Sequence, residues 1–197
     1  MPEAFLLAAG ASRRMGAPKP LMPFGDSTVL ATMARAFLAA GCRQVSVVHR
    51  LEDLPLLEAV RALGLRAVVN ADPSAGMSSS VAVAAEAAGG EWLALCPCDM
   101  PLLTTGTLSR LTEALGGYEG NVLQPAVAGR RKHPVFVRRA WLRERADRLR
   151  GGAPLRDLLS ETDGASLEFL DAAEFFDFDT PEEYEALVRL ARERGVE

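Results

Sequence analysis

The sequence has no isoleucine, two asparagines, two glutamines and two lysines in 197 residues. Basic charge is carried by arginine at 20 of the 22 Lys and Arg positions, and alanine and leucine together supply 60 residues. The pattern matches a coding bias toward GC-rich codons. It says little about thermostability, because the hyperthermophile signal is enrichment in Lys and Glu. It does single out the two positions that stay lysine, Lys19 and Lys132. Basic charge is not in excess either: the net charge of −4 argues against a general nucleic-acid binder. No stretch approaches about 18 uncharged apolar residues, so no membrane span is expected. Met1-Pro2-Glu3 carries no basic n-region, so no secretory signal is expected. Cysteine is scarce, at three residues. Cys96-Pro97-Cys98 is C-x-C, not C-x-x-C, and no second Cys/His pair completes a zinc site. The cysteines read as reduced, mostly buried thiols of a cytoplasmic protein.

Apolar residues make up 49% of the chain and charged residues 24%, ordinary values for a globular protein and far from those of a disordered one. The length fits one domain over 1–197 better than two small ones. Short apolar runs at 4–8, 44–48, 66–69 and 92–96 read as strands, with shorter ones at 122–125, 135–137 and 167–170. Between them lie helical patterns. Val29, Leu30, Met33, Ala36, Phe37 and Ala40 fall at spacings of three and four, so 28–40 reads as a helix capped by Ser27 or Thr28 and ended by Gly41. Further helices are expected at 54–63, 78–88, 105–115, 140–149 and 154–161. A last helix runs from Thr180 to about Arg194, with Pro181 at its first turn and Glu183 completing a capping box. Alternation of this kind implies an α/β class: a single three-layer α/β/α domain around a mostly parallel, Rossmann-like sheet. Ligands of such sheets bind beyond the carboxyl ends of the strands, near the switch in strand order.

Five segments lie where chemistry is expected. Leu6 to Lys19 joins small residues, Gly10 and Gly16, Arg13, Arg14 and Lys19 directly after the first strand. Small side chains let backbone N–H groups approach a polyphosphate, whose charge Arg14 and Lys19 can balance. The spacing fits neither G-x-x-x-x-G-K-[ST] nor G-x-G-x-x-G. The segment could equally be a surface loop with solvated arginines. Asp99, between Pro97 and Pro101 after a buried strand, suits Mg²⁺, which takes one or two protein carboxylates plus phosphate oxygens; it could instead cap a turn. Phe176-Asp177-Phe178-Asp179 alternates like a short strand with both acids on one side. Asp179 could complete a metal site with Asp99, or simply stabilise the helix that follows. Asn70 to Ser80 follows a strand and opens a helix, where N–H groups and hydroxyls suit an anion or a base edge; plain N-capping by the serines is the alternative. Gly129 to Pro134 begins a tract in which nine of the 21 residues from Arg130 to Arg150 are Arg or Lys. Such a tract is usually a solvated face, but here it could line an anion pocket, with His133 as donor or titrating group.

In this order, the segments resemble the molybdenum cofactor nucleotidyltransferase family, within the nucleotidyltransferases whose fold is shared with nucleotide-diphospho-sugar transferases. The resemblance rests on Leu7-Ala8-Ala9-Gly10, Arg14-Met15-Gly16, Lys19, Gly76-Met77-Ser78-Ser79-Ser80, Cys98-Asp99-Met100-Pro101, His133-Pro134 and Asp177-Phe178-Asp179-Thr180-Pro181. It covers nearly the whole chain. Ala9 is closer to the branch using CTP than to the guanylyltransferases, which usually carry a second glycine there. Two positions depart from the family pattern: Lys132 stands where Gly usually precedes the His-Pro pair, and His49-Arg50 where Gly commonly follows the second strand.

The resemblance implies Mg²⁺-dependent transfer of CMP from CTP to the phosphate of molybdopterin or its molybdenum-loaded form. In it, Arg14, Lys19 and Asp99 are catalytic. Leu7, Ala8, Ala9, Gly10, Lys19, Asn70, Asp72, Gly76 and Ser79 bind nucleotide. Ser78, Arg131, Lys132 and His133 face the acceptor, and Asp99 and Asp179 hold the metal. A transient contact with a recipient molybdoenzyme is implied, with no nucleic acid or membrane partner. The alternatives are a guanylyltransferase, a transferase for another small phosphorylated acceptor, and a non-catalytic nucleotide- or cofactor-binding accessory protein.

Overall fold

The computed structural model describes residues 1–10, 12 and 14–196, so Ala11 and Arg13 of the first loop lie outside the described residues. The chain runs β1 (Glu3–Leu7), β2 (Pro23–Phe24), β3 (Ser27–Thr28), α1 (Val29–Ala39), β4 (Gln44–Arg50), α2 (Leu54–Ala62), β5 (Arg66–Asn70), α3 (Met77–Ala87), β6 (Trp92–Pro97) and α4 (Thr105–Ala114). It continues through β7 (Val122–Val127), β8 (Arg130–Arg131), β9 (Val135–Arg138), α5 (Arg139–Arg143), α6 (Ala146–Arg150), α7 (Leu155–Leu159), β10 (Ala165–Glu168) and α8 (Pro181–Glu193).

The main sheet has the order β10-β7-β9-β6-β1-β4-β5, with β8 pairing on β7. β1 pairs in parallel with both β4 and β6, β4 with β5, and β10 with β7, whereas β9 is antiparallel to β6 and β7. The expected mostly parallel sheet is thus present. Its switch point lies at β1, from which the chain passes first to β4 and later to β6 on the other side.

Alternation along β1 feeds two separate cores. Ala4 and Leu6 join the core under α1, α4 and α8, where Leu30, Phe37, Leu108 and Leu187 are buried. Phe5 and Leu7 join the core under α3, α5, α6 and α7, with Val81, Leu142, Leu149 and Leu158. These are the two outer layers of the α/β/α sandwich. Phe5 is fully buried, and truncating such a side chain to alanine costs about 3–5 kcal/mol. Glu3 is a buried acid at the start of β1. It is satisfied by an ion pair with Arg43 and by the Gly89 N–H at 3.0 Å.

Local chemistry sets several boundaries as expected. The Thr28 hydroxyl accepts from the Ala31 N–H at 3.2 Å and starts α1. The capping box at Thr180 and Glu183 is complete. Three expectations differ. The basic helix at 140–149 divides into α5 and α6, because Trp141 and Leu142, then Ala146 and Leu149, must each turn toward the sheet. The segment 176–179 is extended without being a strand, since no neighbouring backbone pairs with it. The last strand lies two residues earlier than expected, at Ala165–Glu168.

Candidate active site

Loops from the carboxyl ends of β1, β4, β5 and β6 enclose a cleft of about 610 Å³ at the switch point. β1 hands the chain into it. The Ala8 N–H is taken by the Val48 carbonyl at 2.8 Å, which extends strand pairing one residue past β1. After β1, the backbone N–H groups left for a ligand therefore begin at Ala9. Leu7, Ala8, Ala9 and Gly10 all line the cleft. A Cβ built at Gly10 would meet no protein atom within 4 Å, so this glycine leaves space to the cleft instead of relieving a protein contact. Ser12 holds a positive φ of 44°, a costly conformation outside glycine, and its carbonyl accepts from the N–H groups of Met15 and Gly16 at 3.0 and 3.2 Å.

Lys19 opens a short 3-10 turn, Lys19–Leu21, anchored by buried Pro20. Its Nζ donates to Asp99 Oδ2 at 2.9 Å and to Asp179 Oδ1 at 2.6 Å. Arg14 Nη2 donates to the other oxygen of Asp179 at 2.6 Å. Each acid is delivered by a rigid segment. Asp99 follows β6 between buried Cys98 and Met100, and the Cys98 N–H bonds the Leu7 carbonyl at 3.2 Å. Asp179 follows buried Phe178, whose ring packs at 5.3 Å from that of Tyr184 on α8. The Asp179 N–H is held by Glu183 Oε2 at 2.6 Å, so the capping box also fixes the backbone of this acid. Lys19 Nζ lies 5.3 Å from the centre of the Phe178 ring, adding a cation–π contact.

The electrostatics follow from burial and pairing. Burial raises the Asp99 pKa, and the Lys19 ammonium opposes that shift. Burial lowers the Lys19 pKa, but the hydrogen bonds to Asp179 and Asp99 outweigh it, so the net shift is upward and the amine stays charged at neutral pH. The half-exposed Asp179 is held below its ordinary range, mainly by the Lys19 hydrogen bond. Asp99 Oδ1 is buried and has no hydrogen-bond partner among the described residues. A desolvated carboxylate oxygen of this kind is costly unless a ligand fills it. Together with Asp179 it suits a hard divalent ion that takes one or two protein carboxylates and completes its shell with phosphate oxygens. No group of three or more His, Cys, Asp or Glu side chains gathers as a metal cage among the described residues.

The segment after β5 divides into residues that line the cleft and residues that build it. Gly76 lines it and begins α3 at φ +72°, a conformation glycine adopts without strain. Asn70 and Ser79, expected to touch nucleotide, are buried against one another instead. Asn70 Nδ2 donates to Ser79 Oγ at 2.8 Å and to Ser80 Oγ at 3.1 Å, and its Oδ1 accepts from the Asp72 N–H. They fix the start of α3. Asp72 is exposed and caps the turn at Pro73–Ala75 by accepting from the Ser74 N–H at 3.1 Å, which places Ser74, not Asp72, in the cleft wall.

A second pocket of about 440 Å³ adjoins the first at Met77, which lines both. All four residues expected to face the acceptor, Ser78, Arg131, Lys132 and His133, line it. Arg156 of α7 adds a cation that the sequence did not single out. Burial lowers the His133 pKa, with the Leu95 backbone and Asp177 opposing, so the ring meets a ligand neutral at pH 7. Several other arginines of the basic tract serve the scaffold. Arg148 forks onto Glu161 at 2.6 and 2.7 Å, Arg150 pairs with Glu86 and Asp147, and Arg138 pairs with Glu91. Arg50, the last residue of β4, lines the cleft. It was not among the expected site residues, and its sequence signal was the His49-Arg50 pair standing where the resembling family commonly has glycine.

A family model described as the MobA-like NTP transferase domain matches residues 4–166. The chain belongs to this family. It is 32% identical over 121 residues to a probable molybdenum cofactor guanylyltransferase of Opitutus terrae, a match spanning 61% of this chain and 59% of that relative. It is 27% identical over 183 residues to the molybdenum cofactor cytidylyltransferase of Escherichia coli, covering 92% of this chain and 93% of the relative. A third relative, 31% identical over 141 residues and covering 67% and 68% of the two chains, is named nicotine blue oxidoreductase, from Paenarthrobacter nicotinovorans. Among solved structures, Rv0371C of Mycobacterium tuberculosis H37Rv in complex with manganese matches with a TM-score of 0.76 at 25% identity, over 95% of this chain and 97% of that one. Among the described residues, no helix of this NTP transferase is long and apolar enough to cross a membrane.

Proposed function

We propose that the chain, acting as one unit over residues 1–197, transfers CMP from CTP to the phosphate of molybdopterin or its molybdenum-loaded form, with Mg²⁺ and with release of pyrophosphate. The observation that carries this reading is the placement of Lys19 between Asp99 and Asp179, beside the Ala9–Gly10 loop and next to a second, cationic pocket. One pocket suits a nucleoside triphosphate and the other an anionic acceptor, and they meet at Met77. An acceptor phosphate oxygen attacks the α-phosphorus, a new P–O bond forms, the α–β bond breaks, and its electron pair leaves with pyrophosphate.

In such transfers the protein mainly positions the reactants and balances charge. Arg14 and Lys19 offset charge on the departing pyrophosphate. The loop from Ala9 admits the triphosphate backbone. Arg131, Lys132 and Arg156 attract the acceptor, and neutral His133, whose ring bonds the Leu95 backbone, forms part of the pocket wall. Asp99 and Asp179 would hold the metal ion, which when bound polarises the phosphoryl oxygens and neutralises developing charge. The manganese complex of the Mycobacterium tuberculosis relative supports a divalent ion in this family. A cytoplasmic location and a passing contact with a recipient molybdoenzyme belong to the same reading.

The E. coli relative and Ala9 favour CTP, whereas the Opitutus relative favours a second reading, guanylyl transfer. An oxidoreductase role, suggested by the name of the third relative, leaves the lysine–carboxylate cluster without a task. The deciding experiment measures pyrophosphate release with each of the four NTPs, with and without molybdopterin. Release with CTP that depends on molybdopterin is expected. Release with GTP alone would reassign the nucleotide. Tight binding of NTP and acceptor without any pyrophosphate would favour an accessory role.

A further inference from the structure

We propose that Arg50 reads the nucleobase, and that it selects bases with two adjacent hydrogen-bond acceptors, cytosine and guanine, over adenine and uracil. The inference rests on the nucleotide reading of the cleft and adds to it the residue that decides which nucleotide enters.

The topology fixes where a base can lie. In the order β6-β1-β4-β5, Asp99 follows β6 and Arg50 ends β4. Neighbouring strands are spaced by about 4.8 Å, so the two residues stand two spacings apart, on the order of 10 Å across the cleft floor. The turn at Pro73–Ala75, after β5, lies one strand further. The lysine–carboxylate cluster is the phosphate end of this row. A nucleotide whose phosphates sit there lays its ribose and base toward the ends of β4 and β5, over Arg50 and Ser74.

Arg50 is built to present its side chain there. Its carbonyl accepts from the Asp53 N–H at 3.3 Å and lies 2.8 Å from His49 Nδ1, so the strand end is pinned. Across the register stands Asn70, whose amide is already bonded to Ser79 and Ser80. Arg50 Nε is buried and has no partner among the described residues. A desolvated donor of this kind is paid for only when a ligand supplies an acceptor.

A guanidinium is a planar fork that matches two acceptors side by side. Guanine offers O6 beside N7, and cytosine offers O2 beside N3. Adenine sets an amino donor next to N7, and uracil sets an N–H between its two carbonyls, so neither offers the pair. The discrimination expected from one such bidentate contact is on the order of ten- to a hundredfold.

The test is titration calorimetry of the full chain with each of the four NTPs and Mg²⁺, for the wild type, Arg50→Ala and Arg50→Lys. The wild type is expected to bind CTP or GTP ten- to a hundredfold more tightly than ATP and UTP. Arg50→Ala should erase that gap by weakening only the preferred nucleotide. Arg50→Lys, which keeps the stem and the charge, should fail in the same way for want of the fork, and it carries the test if the alanine variant does not fold. Three results overturn the proposal: equal binding of all four NTPs by the wild type, equal weakening of all four in either variant, or no change. Equal weakening would mark a phosphate contact. Because the readout is binding, a wild type that binds NTPs but releases no pyrophosphate would count against the transfer reading and leave the Arg50 comparison standing.

Discussion

The two pockets that meet at Met77 treat charge in opposite ways. In the cleft at the switch point, Lys19 and Arg14 are already matched to Asp99 and Asp179, and the buried atom of that cluster left without a partner among the described residues is a carboxylate oxygen. In the neighbouring pocket, Arg131, Lys132 and Arg156 line the walls with no carboxylate among the lining residues. The first site is pre-organised, holding its reactive groups in place by one another's charge. The second is an unbalanced field that attracts an anion but orients it weakly. Precision should therefore be lost by small changes in the first, and affinity by charge removal in the second.

The largest effect is expected for Asp99→Ala. Pyrophosphate release should fall by at least about 10²–10³-fold, as for other charge-stabilising groups of an active site, with the circular dichroism spectrum unchanged. Turnover within tenfold of wild type would show that the pre-organised cluster is dispensable. Lys19→Arg should cost about 10²-fold in kcat, because a fork cannot take the place of a single ammonium bonded to two carboxylates, and a misplacement near 1 Å has that cost. Steady-state kinetics at saturating NTP read it directly.

In the second pocket, exposed charge contacts are each worth about 0.2–1 kcal/mol. The double variant Lys132→Gly, Arg156→Ala should raise the KM for the acceptor by about two- to thirtyfold and leave kcat and the NTP KM unchanged. The effect should shrink at high salt. A fall in kcat instead would mean that this pocket also orients, and the contrast would fail. Thr180→Ala removes the cap that accepts from the Glu183 N–H. About 1 kcal/mol of stability should go, seen as a melting temperature lower by about 2–4 °C, together with a modest loss of kcat as Asp179 loosens.

The smallest effect concerns the thiols. Burial pushes Cys42 up to about 12 and raises Cys96 and Cys98 as well. At pH 8 almost no thiolate is present, so a disulfide reagent should label none of the three until the chain unfolds. Labelling of Cys98 in the native state would reveal that the cleft wall opens.

Much of this was legible in the sequence wherever the cause is local. The caps at Thr28 and Thr180 depend on residues three apart. The Gly10 loop and the Asp99 turn announce themselves by following apolar strands. Alternation of strands and helices implied the three layers. What the sequence left open depends on which side chains meet in the fold. Asn70 and Ser79 carry groups suited to a ligand, yet they satisfy each other inside the fold. The arginines from 138 to 150 resembled an anion-binding tract, but Glu86, Glu91 and Glu161 had already engaged several of them.

By itself, then, the sequence determined the class of fold, the loops that line the cleft and the identity of the catalytic candidates, because periodicity, capping and turn chemistry act over a few residues. Only the tertiary structure decided which of those candidates meet. Lys19, Asp99 and Asp179 are separated by 80 and 160 positions and come within hydrogen-bond reach because the sheet order sets β6 beside β1 and packs α8 against the same face. The same order set Arg50 in the cleft, since a strand's neighbours depend on the whole sheet and not on the residues beside it in the chain.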